Sequence, residues 1–403
     1  MNTTLPSVAQ DATHGAVMSS KQRMLCALDR GQPDRLPFTT HHLMDSFLRT
    51  YMSGASSEEF FDHFGMDAIR WVNAHRPDTD AGEYYDPLQD GCGFLEARRI
   101  CTDNWRIYWE DIPGQQYPTR RCRFVTPKGE LSMVLQSNQY TSWVTEHLIK
   151  EKSDIDIIRG YITAPRCDTE AVNREAAAFG DRGLIRGHIC CFDGFGQPGT
   201  WQDASCLVGI ERLIMETFDD PEWVHELLGI LQPRKLSYAR SLNGAAYDVL
   251  ELGGGDASST VISPAIFDEF VAPYDAPIIA AAHEAGQRIV YHTCGGMMPI
   301  LERIAAMGPD AMETFTPVGM GGDTDLVEAK RRIGDKVCMI GGLDQLHFFT
   351  GCTPEQTRAE VRRCFEAAGA GGGFILSPSD HFFEADLELF GAFADEASRC
   401  VYT

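Results

Sequence analysis

Short apolar, β-prone runs recur along the chain, each followed by a loop rich in glycine or polar residues and then by an amphipathic helical stretch. Capping hydroxyls followed by proline, as in Ser263-Pro264 and Thr353-Pro354, mark helix starts. Strands that alternate with helices indicate a parallel sheet, and eight of them favour an α/β fold of the closed (β/α)8 TIM-barrel type. The predicted strands span residues 36–40, 68–73, 183–192, 247–252, 288–292, 311–316, 336–340 and 373–376.

One region interrupts this alternation. Between about residues 82 and 138 consecutive strand-like runs appear, and Pro127-Lys128-Gly129 provides a hairpin turn between two of them. The pattern predicts an antiparallel β insertion near the N-terminal third, beside the barrel mouth. Residues 1–20 are small and polar, which predicts a flexible tail ahead of a single barrel domain over 21–403.

Composition narrows the class of protein. The 403 residues are 43% hydrophobic and 23% charged, which is ordinary for a globular protein. A net charge of −23 argues against nucleic acid or an anionic membrane as a partner, because both would be repelled. No run approaches the roughly 18 apolar residues of a membrane span, and no secretory signal is visible. The 13 scattered cysteines, an odd number, fit reduced thiols and predict a cytoplasmic enzyme.

Titratable side chains follow the predicted strands with unusual regularity. Catalytic groups of this barrel type lie at the C-terminal ends of strands, so these positions form the candidate site. They carry His41, His42, His188, Cys190, Cys191, Glu251, Asp256, His292, Cys294, Glu313, Asp344, Asp380 and His381.

The sharpest local signal is the pair His292 and Cys294, followed by two glycines. Two residues apart in an extended segment, an imidazole and a thiolate point the same way and can reach one ion, and zinc suits mixed nitrogen and sulfur ligands. A buried, inert histidine and cysteine explain the pair equally well. Asp380 is the first choice for a third ligand and His381 the second, although both could instead cap the next helix.

Two acids and a group of aromatic residues complete the predicted site. Glu251 and Glu313 could fill a fourth metal position or act as bases, or they could pair structurally inside the mouth. Aromatic side chains at the same rim favour a partly apolar pocket for a flat or methylated substrate, although core packing explains each one singly. They are Phe192, Phe195, Trp201, Phe382 and Phe383. The predicted substrate-binding residues are His41, Phe192, Trp201, His381 and Phe382.

From Ser20 to the C-terminus the chain resembles the uroporphyrinogen decarboxylase-like superfamily, specifically its zinc-dependent methyltransferase branch that works with corrinoid proteins. The motifs that carry the resemblance are Gly31-Gln-Pro-Asp34-Arg35-Leu-Pro37, Ser263-Pro264 with Phe267 and Tyr274, His292-Thr-Cys294-Gly295, Gly342-Leu343-Asp344 and Ile375-Leu-Ser-Pro-Ser379.

The resemblance implies a zinc site. His292 and Cys294 match the branch's His-x-Cys ligands, whereas its third ligand, a cysteine, falls at Asp380 in this chain. A nitrogen, sulfur and oxygen set is harder than one with two sulfurs. It should make zinc more Lewis acidic and less suited to carrying a second thiolate.

The implied reaction is O-demethylation of a small methoxylated compound, aromatic by preference. The acceptor would be a corrinoid (cobalamin) held by a separate protein, since no Asp-x-His-x-x-Gly signature occurs here, or a tetrahydrofolate-like molecule. Glu251, Glu313 or His188 would supply the proton that the leaving oxygen needs.

Other functions stay open. A uroporphyrinogen decarboxylase-like lyase is disfavoured because no arginine follows the first strand until Arg49, and the second strand ends at Asn73 without the expected aspartate. A metal-dependent hydrolase and a non-catalytic binding module on the same barrel are further alternatives. Whether the chain forms a homodimer is not decided by its sequence.

Overall fold

The computed structural model describes residues 17–40, 42–88 and 99–402, so only the last few residues of the predicted tail belong to its described part. The strands within these ranges are β1 (Ala68–Trp71), β2 (His75–Arg76), β3 (Tyr84–Tyr85), β4 (Ile100–Cys101), β5 (Arg106–Asp111), β6 (Thr119–Thr126), β7 (Gly129–Ser137), β8 (Ser142–Glu146), β9 (Arg166–Cys167), β10 (Gly183–His188), β11 (Val249–Gly253), β12 (Ile289–His292), β13 (Ala311–Thr314), β14 (Cys338–Leu343) and β15 (Phe374–Pro378).

A curled parallel sheet of seven strands organises the fold, in the order β1-β10-β11-β12-β13-β14-β15. Every neighbouring pair is parallel, as the alternation of strands and helices predicted. In this sheet the strands from β10 to β15 are buried along their whole length, because helices cover the outside of the sheet and side chains fill its inside. All predicted strands but the first are confirmed, with ends shifted by a few residues.

The predicted first strand, residues 36–40, is reduced to an isolated bridge at Phe38. Phe38 pairs with Leu376 of β15, and its carbonyl accepts a 2.9 Å hydrogen bond from the amide of Asp67, just before β1. The amide of Phe38 donates to the Asp67 carboxylate at 3.1 Å instead of to a strand, and Pro37 has no amide hydrogen to donate. This segment therefore lies between the two outer strands without forming a regular ladder.

Helices follow the strands as the periodicity predicted. They are α1 (Ser20–Leu28), α2 (Asp45–Tyr51), α3 (Ser57–Phe64), α4 (Ile155–Tyr161), α5 (Thr169–Phe179), α6 (Thr200–Val208), α7 (Ile210–Asp219), α8 (Pro221–Ser241), α9 (Pro264–Ile266), α10 (Ala272–Glu284), α11 (Leu301–Ala306), α12 (Leu326–Ile333), α13 (Gln345–Phe348), α14 (Pro354–Ala368) and α15 (Leu387–Arg399). Among the described residues, none of the helices has both the length and the apolar character needed to cross a bilayer.

The start of α14 provides a test of the capping signal. Thr353 accepts a hydrogen bond from the amide of Gln356, whose side chain bonds back to the Thr353 amide at 2.9 Å. Replacing Thr353 by alanine removes this cap, so the free energy of unfolding should fall by about 1 kcal/mol in urea denaturation. Thr353→Ser keeps the hydroxyl and is the matched control. Equal stability of the two variants would show that the cap does not stabilise the helix.

The predicted antiparallel insertion is present as the sheet β5-β6-β7-β8. It runs to Glu146, beyond the predicted limit at residue 138, and residues 89–98 of the predicted segment lie outside the described residues. It packs beside the parallel sheet through Phe124 of β6 and the neighbouring Trp105, whose rings lie 4.9 Å apart, and Phe124 contacts Phe192 at 5.5 Å. The turn between β7 and β8 reaches the open end of the parallel sheet.

Candidate functional site

A cavity of about 920 Å³ lies at the C-terminal ends of the parallel strands. It brings together most of the predicted titratable residues, because inward-facing positions of neighbouring strands are in register. His188 of β10 pairs with Glu251 of β11, and His292 of β12 pairs with Glu313 of β13. The predicted site residues that line the cavity are His188, Glu251, His292, Cys294, Asp380 and His381. His41 lies outside the described residues.

A buried arginine supports the floor of this cavity. Arg186 is 1% exposed, donates to Glu251 at 2.6 Å and to Glu313 at 2.9 Å, and stacks over the Trp71 ring at 4.7 Å. Burial alone would lower the pKa of Arg186, but the charges of Glu313 and Glu251 raise it above its ordinary value. The guanidinium therefore stays charged and compensates two carboxylates that could not be buried alone.

The ring of His292 is oriented by Glu313, which is fully buried. The Nδ1 of His292 lies 2.9 Å from a carboxylate oxygen of Glu313, so Nδ1 keeps a proton and Nε2 is the nitrogen left to bind a ligand. Burial alone would lower the pKa of His292, but the charge of Glu251 and hydrogen bonds with Cys294 and Glu313 raise it well above its ordinary value. A cation that binds this imidazole must therefore displace a proton.

Asp380 is held by its neighbour in sequence. Its carboxylate accepts hydrogen bonds from the amide and from Nδ1 of His381, both at 2.7 Å. Burial would raise the pKa of Asp380, but the bonds from His381 and the nearby charges of His381 and His292 hold it well below its ordinary value. Neither Asp380 nor His381 caps the next helix, since α15 begins at Leu387 and its capping residue is Asp386.

The histidine next to the predicted His41 is the one that the structure places in the site. The ring of His42 stacks between His381, at 4.2 Å, and Trp71, at 5.7 Å, and meets the edge of His292 at 5.9 Å. His42, Glu251 and His292 each offer one ligand atom, and these atoms all lie within 4.8 Å of one another. This group shares only His292 with the predicted ligand set of His292, Cys294 and Asp380.

His188 differs from His292, because its surroundings lower the pKa of the ring and do not raise it. Its Nδ1 lies 2.9 Å from the carbonyl of Ile189, which can only accept, so Nδ1 carries the proton. Burial lowers the pKa of His188, and the ring is neutral. Among the described residues its Nε2, which is buried, finds no hydrogen-bond partner, and the same holds for the Oδ1 of Asn73, which lines the same cavity. These two atoms accept hydrogen bonds, so this wall suits a donor group of a ligand.

The predicted aromatic residues divide into two groups. Phe192, Trp201 and Phe382 are buried in the hydrophobic core, where the Trp201 indole donates to the carbonyl of Asp256. They lie behind the cavity and support its wall, because their rings pack against other core residues and do not face the cavity. Aromatic side chains that do line the cavity include Trp71, Tyr140, Phe195 and Phe383.

The donor set fits a borderline divalent cation such as zinc. Imidazole nitrogens, a carboxylate and a thiol all lie at one cavity, and a carboxylate behind His292 orients it as such partners do in metal sites. Sequence reasoning missed Arg186, whose position inside an apolar strand two residues before His188 could have indicated it. It also missed Trp71, which follows the same inward register on β1.

Comparisons with known proteins agree with this fold. Residues 196–398, just over half of the chain, match the family model described as "Uroporphyrinogen decarboxylase (URO-D)". The chain is 29% identical over 173 residues to a uroporphyrinogen decarboxylase of Nocardia farcinica, a match that covers 43% of this chain and 45% of the relative. It is 31% identical over 185 residues to that of Pseudomonas putida, covering 44% and 48%. The chain thus spans about half the length of the curated relatives it matches.

A solved structure of a methyltransferase from Methanosarcina mazei is also similar. The two superpose with a TM-score of 0.58 at 16% identity, covering 95% of this chain and 99% of the other. At that identity the likeness concerns the fold. The family match begins at residue 196 and so includes Glu251, His292, Cys294 and Asp380, whereas His42 lies before it.

Proposed function

Because the chain belongs to the uroporphyrinogen decarboxylase (URO-D) family, we propose that its strand-end cavity transfers a methyl group from a small methoxylated aromatic compound with the help of a zinc-type cation bound at His292. The single observation that carries the proposal is the oriented imidazole. His292 faces the cavity with Glu313 fixed behind it, and Glu251 and His42 offer further ligand atoms beside it. The acceptor is a corrinoid on a separate protein or a tetrahydrofolate-like molecule.

The proposal takes the scaffold to be a complete (β/α)8 barrel, in which residues 37–39 fill the eighth position. Their hydrogen bonds to β15 and to the residue before β1 support it. The fold is one that a methyltransferase from Methanosarcina mazei also has, so this reaction class is available to the scaffold. Because one fold serves many reactions, the residues of the cavity, and not the fold, determine which reaction occurs.

The ether bond between oxygen and methyl carbon breaks, the methyl group forms a bond with the acceptor nucleophile, and the leaving oxygen, released as an alkoxide or phenoxide, takes up a proton from water. A bound zinc-type cation would supply Lewis acidity toward that oxygen. Phe195 offers a ring face for an aromatic donor, and Trp71, whose ring packs against Arg186 and His42, lines the cavity beside it. His188 carries its proton on Nδ1, so its Nε2 accepts a hydrogen bond from the ligand. Nε2 can donate a proton only after it has first accepted one.

The predicted acid–base residues thus occupy different places. Glu251 faces the cavity, and Arg186 holds one of its oxygens. Glu313 is fully buried and orients His292, so we propose a positioning role for it. The predicted metal ligands Cys294 and Asp380 line the same cavity, and the proposed reaction requires only that the cation binds at His292.

A decarboxylase is the second candidate, because the curated relatives bear that name. Arg49 of α2 lines the cavity and could hold a substrate carboxylate. Asp45, Glu251 and Asp380, however, place three acids in the same cavity, and these would repel a polycarboxylate. The balance of charge favours a neutral, methoxylated substrate.

The test is a methyl-transfer assay with zinc-loaded protein, a panel of methoxybenzenes and methoxyphenols, and reduced cob(I)alamin. We expect methylcobalamin, followed by its absorbance, and an equal amount of demethylated product. Tetrahydrofolate serves as the second acceptor. Demethylated product without a methylated acceptor would indicate a hydrolase, and carbon dioxide from a porphyrinogen carboxylate without methyl transfer would indicate a decarboxylase. Either result would overturn the proposal.

A further inference from the structure

We infer that the cation in this cavity is bound by His42, Glu251 and His292, and that Cys294 and Asp380 lie outside its coordination sphere. The inference rests on the proposed function only in that a divalent cation binds here. The predicted set of one nitrogen, one sulfur and one oxygen is replaced by two imidazole nitrogens and one carboxylate oxygen. The added ligand, His42, lies in a segment that the family match does not include.

The geometry needs only a small contraction. The three ligand atoms lie within 4.8 Å of one another, and a tetrahedral zinc site with bonds of about 2.1 Å brings its ligand atoms to roughly 3.4 Å apart. Side-chain rotation can supply that difference. Three protein ligands also leave a coordination position open toward the cavity, which is typical of catalytic and not of structural zinc sites.

Each of the three ligands has its own support. Glu313 orients His292 through Nδ1 at 2.9 Å, and Arg186 holds one oxygen of Glu251 at 2.6 Å. His42 is fixed by ring stacking on His381, with an angle of 4° between the planes. Residues that orient metal ligands in this way are common behind metal sites, because they reduce the entropy that binding costs.

The two excluded residues have other partners. Asp380 is committed to His381 through two hydrogen bonds to one carboxylate oxygen, and His381 in turn stacks on His42. Asp380 is therefore a positioning residue for a ligand. The Sγ of Cys294 packs against the backbone of Gly255, 2.7 Å from the point where a Cβ would stand on that glycine. The thiol also hydrogen-bonds to the His292 ring, but among the described residues its sulfur does not belong to the group of ligand atoms that lie within 4.8 Å of one another.

The donor set has a chemical consequence. Two neutral imidazoles and one carboxylate leave a divalent cation with more positive charge than a set that includes both a thiolate and a carboxylate. Such a site suits zinc or a similar borderline cation and favours activation of oxygen over binding of a second thiolate. An ether, whose leaving atom is oxygen, is therefore a suitable methyl donor for this site.

The experiment uses the full-length protein, freed of metal and titrated with Zn²⁺ and with Co²⁺. The Co²⁺-loaded protein should lack the near-ultraviolet charge-transfer band of a cobalt–thiolate bond, and Cys294→Ser should leave its spectrum unchanged. His42→Ala should weaken Zn²⁺ binding by about 100-fold or more, since it removes a ligand outright. The matched control Cys294→Ser should change it by less than about 10-fold.

A thiolate band that disappears in Cys294→Ser would overturn the inference, as would wild-type Zn²⁺ affinity in His42→Ala. Circular dichroism checks that each variant is folded, and His42 is suitable because it is partly exposed and does not belong to the hydrophobic core. The spectrum of Cys294→Ser decides the matter even if His42→Ala does not fold. Stoichiometric Zn²⁺ binding without methyl transfer would overturn the proposed function alone, whereas failure of the wild-type protein to bind Zn²⁺ would overturn this inference.

Discussion

Replacing His292 by alanine is expected to reduce methyl transfer by roughly 10³-fold or more and to lower the zinc content of the purified protein well below one equivalent. His292 belongs both to the predicted ligand set and to the set inferred from the structure, so its loss removes the cation in either case. Several kcal/mol of stabilisation of the leaving oxygen would be lost with it, and each 1.4 kcal/mol corresponds to about tenfold in rate.

The measurement pairs elemental analysis with the cobalamin assay. His63→Ala, at an exposed histidine on α3, is the matched control and should keep both zinc and activity. If His292→Ala retained full methyl transfer, no metal bound at this position could take part in the reaction. A variant that lost activity but kept one equivalent of zinc would instead assign His292 to substrate contact.

Replacing Arg186 by methionine is expected to lower the free energy of unfolding by about 3–5 kcal/mol. Methionine is unbranched and has no charge, so Glu251 and Glu313 would lose their shared partner while staying buried. A buried carboxylate without compensation is far more costly than the net gain from the original ion pair, which is why removing one partner has so large an effect.

Denaturant unfolding followed by circular dichroism measures this difference. Arg331→Met is the control, because Arg331 pairs with Glu328 on the exposed surface of α12 and its loss should cost less than about 1 kcal/mol. Similar stability of the two variants would mean that the buried carboxylates are compensated by something other than Arg186.

Hydrophobic periodicity predicted most of the fold, because buried parallel strands are continuous apolar runs and the helices between them begin with recognisable caps. It failed at residues 36–40, where the run is apolar enough for a strand. What prevents a ladder there is the carboxylate of Asp67, which takes the amide of Phe38. That contact joins residues far apart in sequence, and no local pattern signals it.

The candidate site was predictable to the extent that it follows strand ends. This rule found His188, Glu251 and His292, because strand ends in a parallel sheet converge on one cavity. It did not find Arg186, which lies inside β10 and acts through its neighbours. It also selected His41 and not His42 as a binding residue. Both histidines follow the predicted first strand, and the alternation of side chains along a strand does not tell which residue faces inward once the strand has ended.

The aromatic residues show a further limit. Phe192 and Phe382 lie in loops after strands, as Phe195 and Phe383 do, yet the first two are buried in the core and the second two line the cavity. Sequence position did not separate them, because the path of a loop decides which ring turns inward. Only the packing of the surrounding chain settles that choice.

The turn between β7 and β8 has a consequence for how this protein can diversify. Residues 138–142 border the cavity but are anchored in their own antiparallel sheet and not in the parallel sheet. Changes of length or side chain in that turn can therefore reshape the entrance while the strand ends that carry Glu251 and His292 stay as they are. The side chains at the entrance and those at the strand ends thus belong to different sheets, and one set can change without disturbing the other.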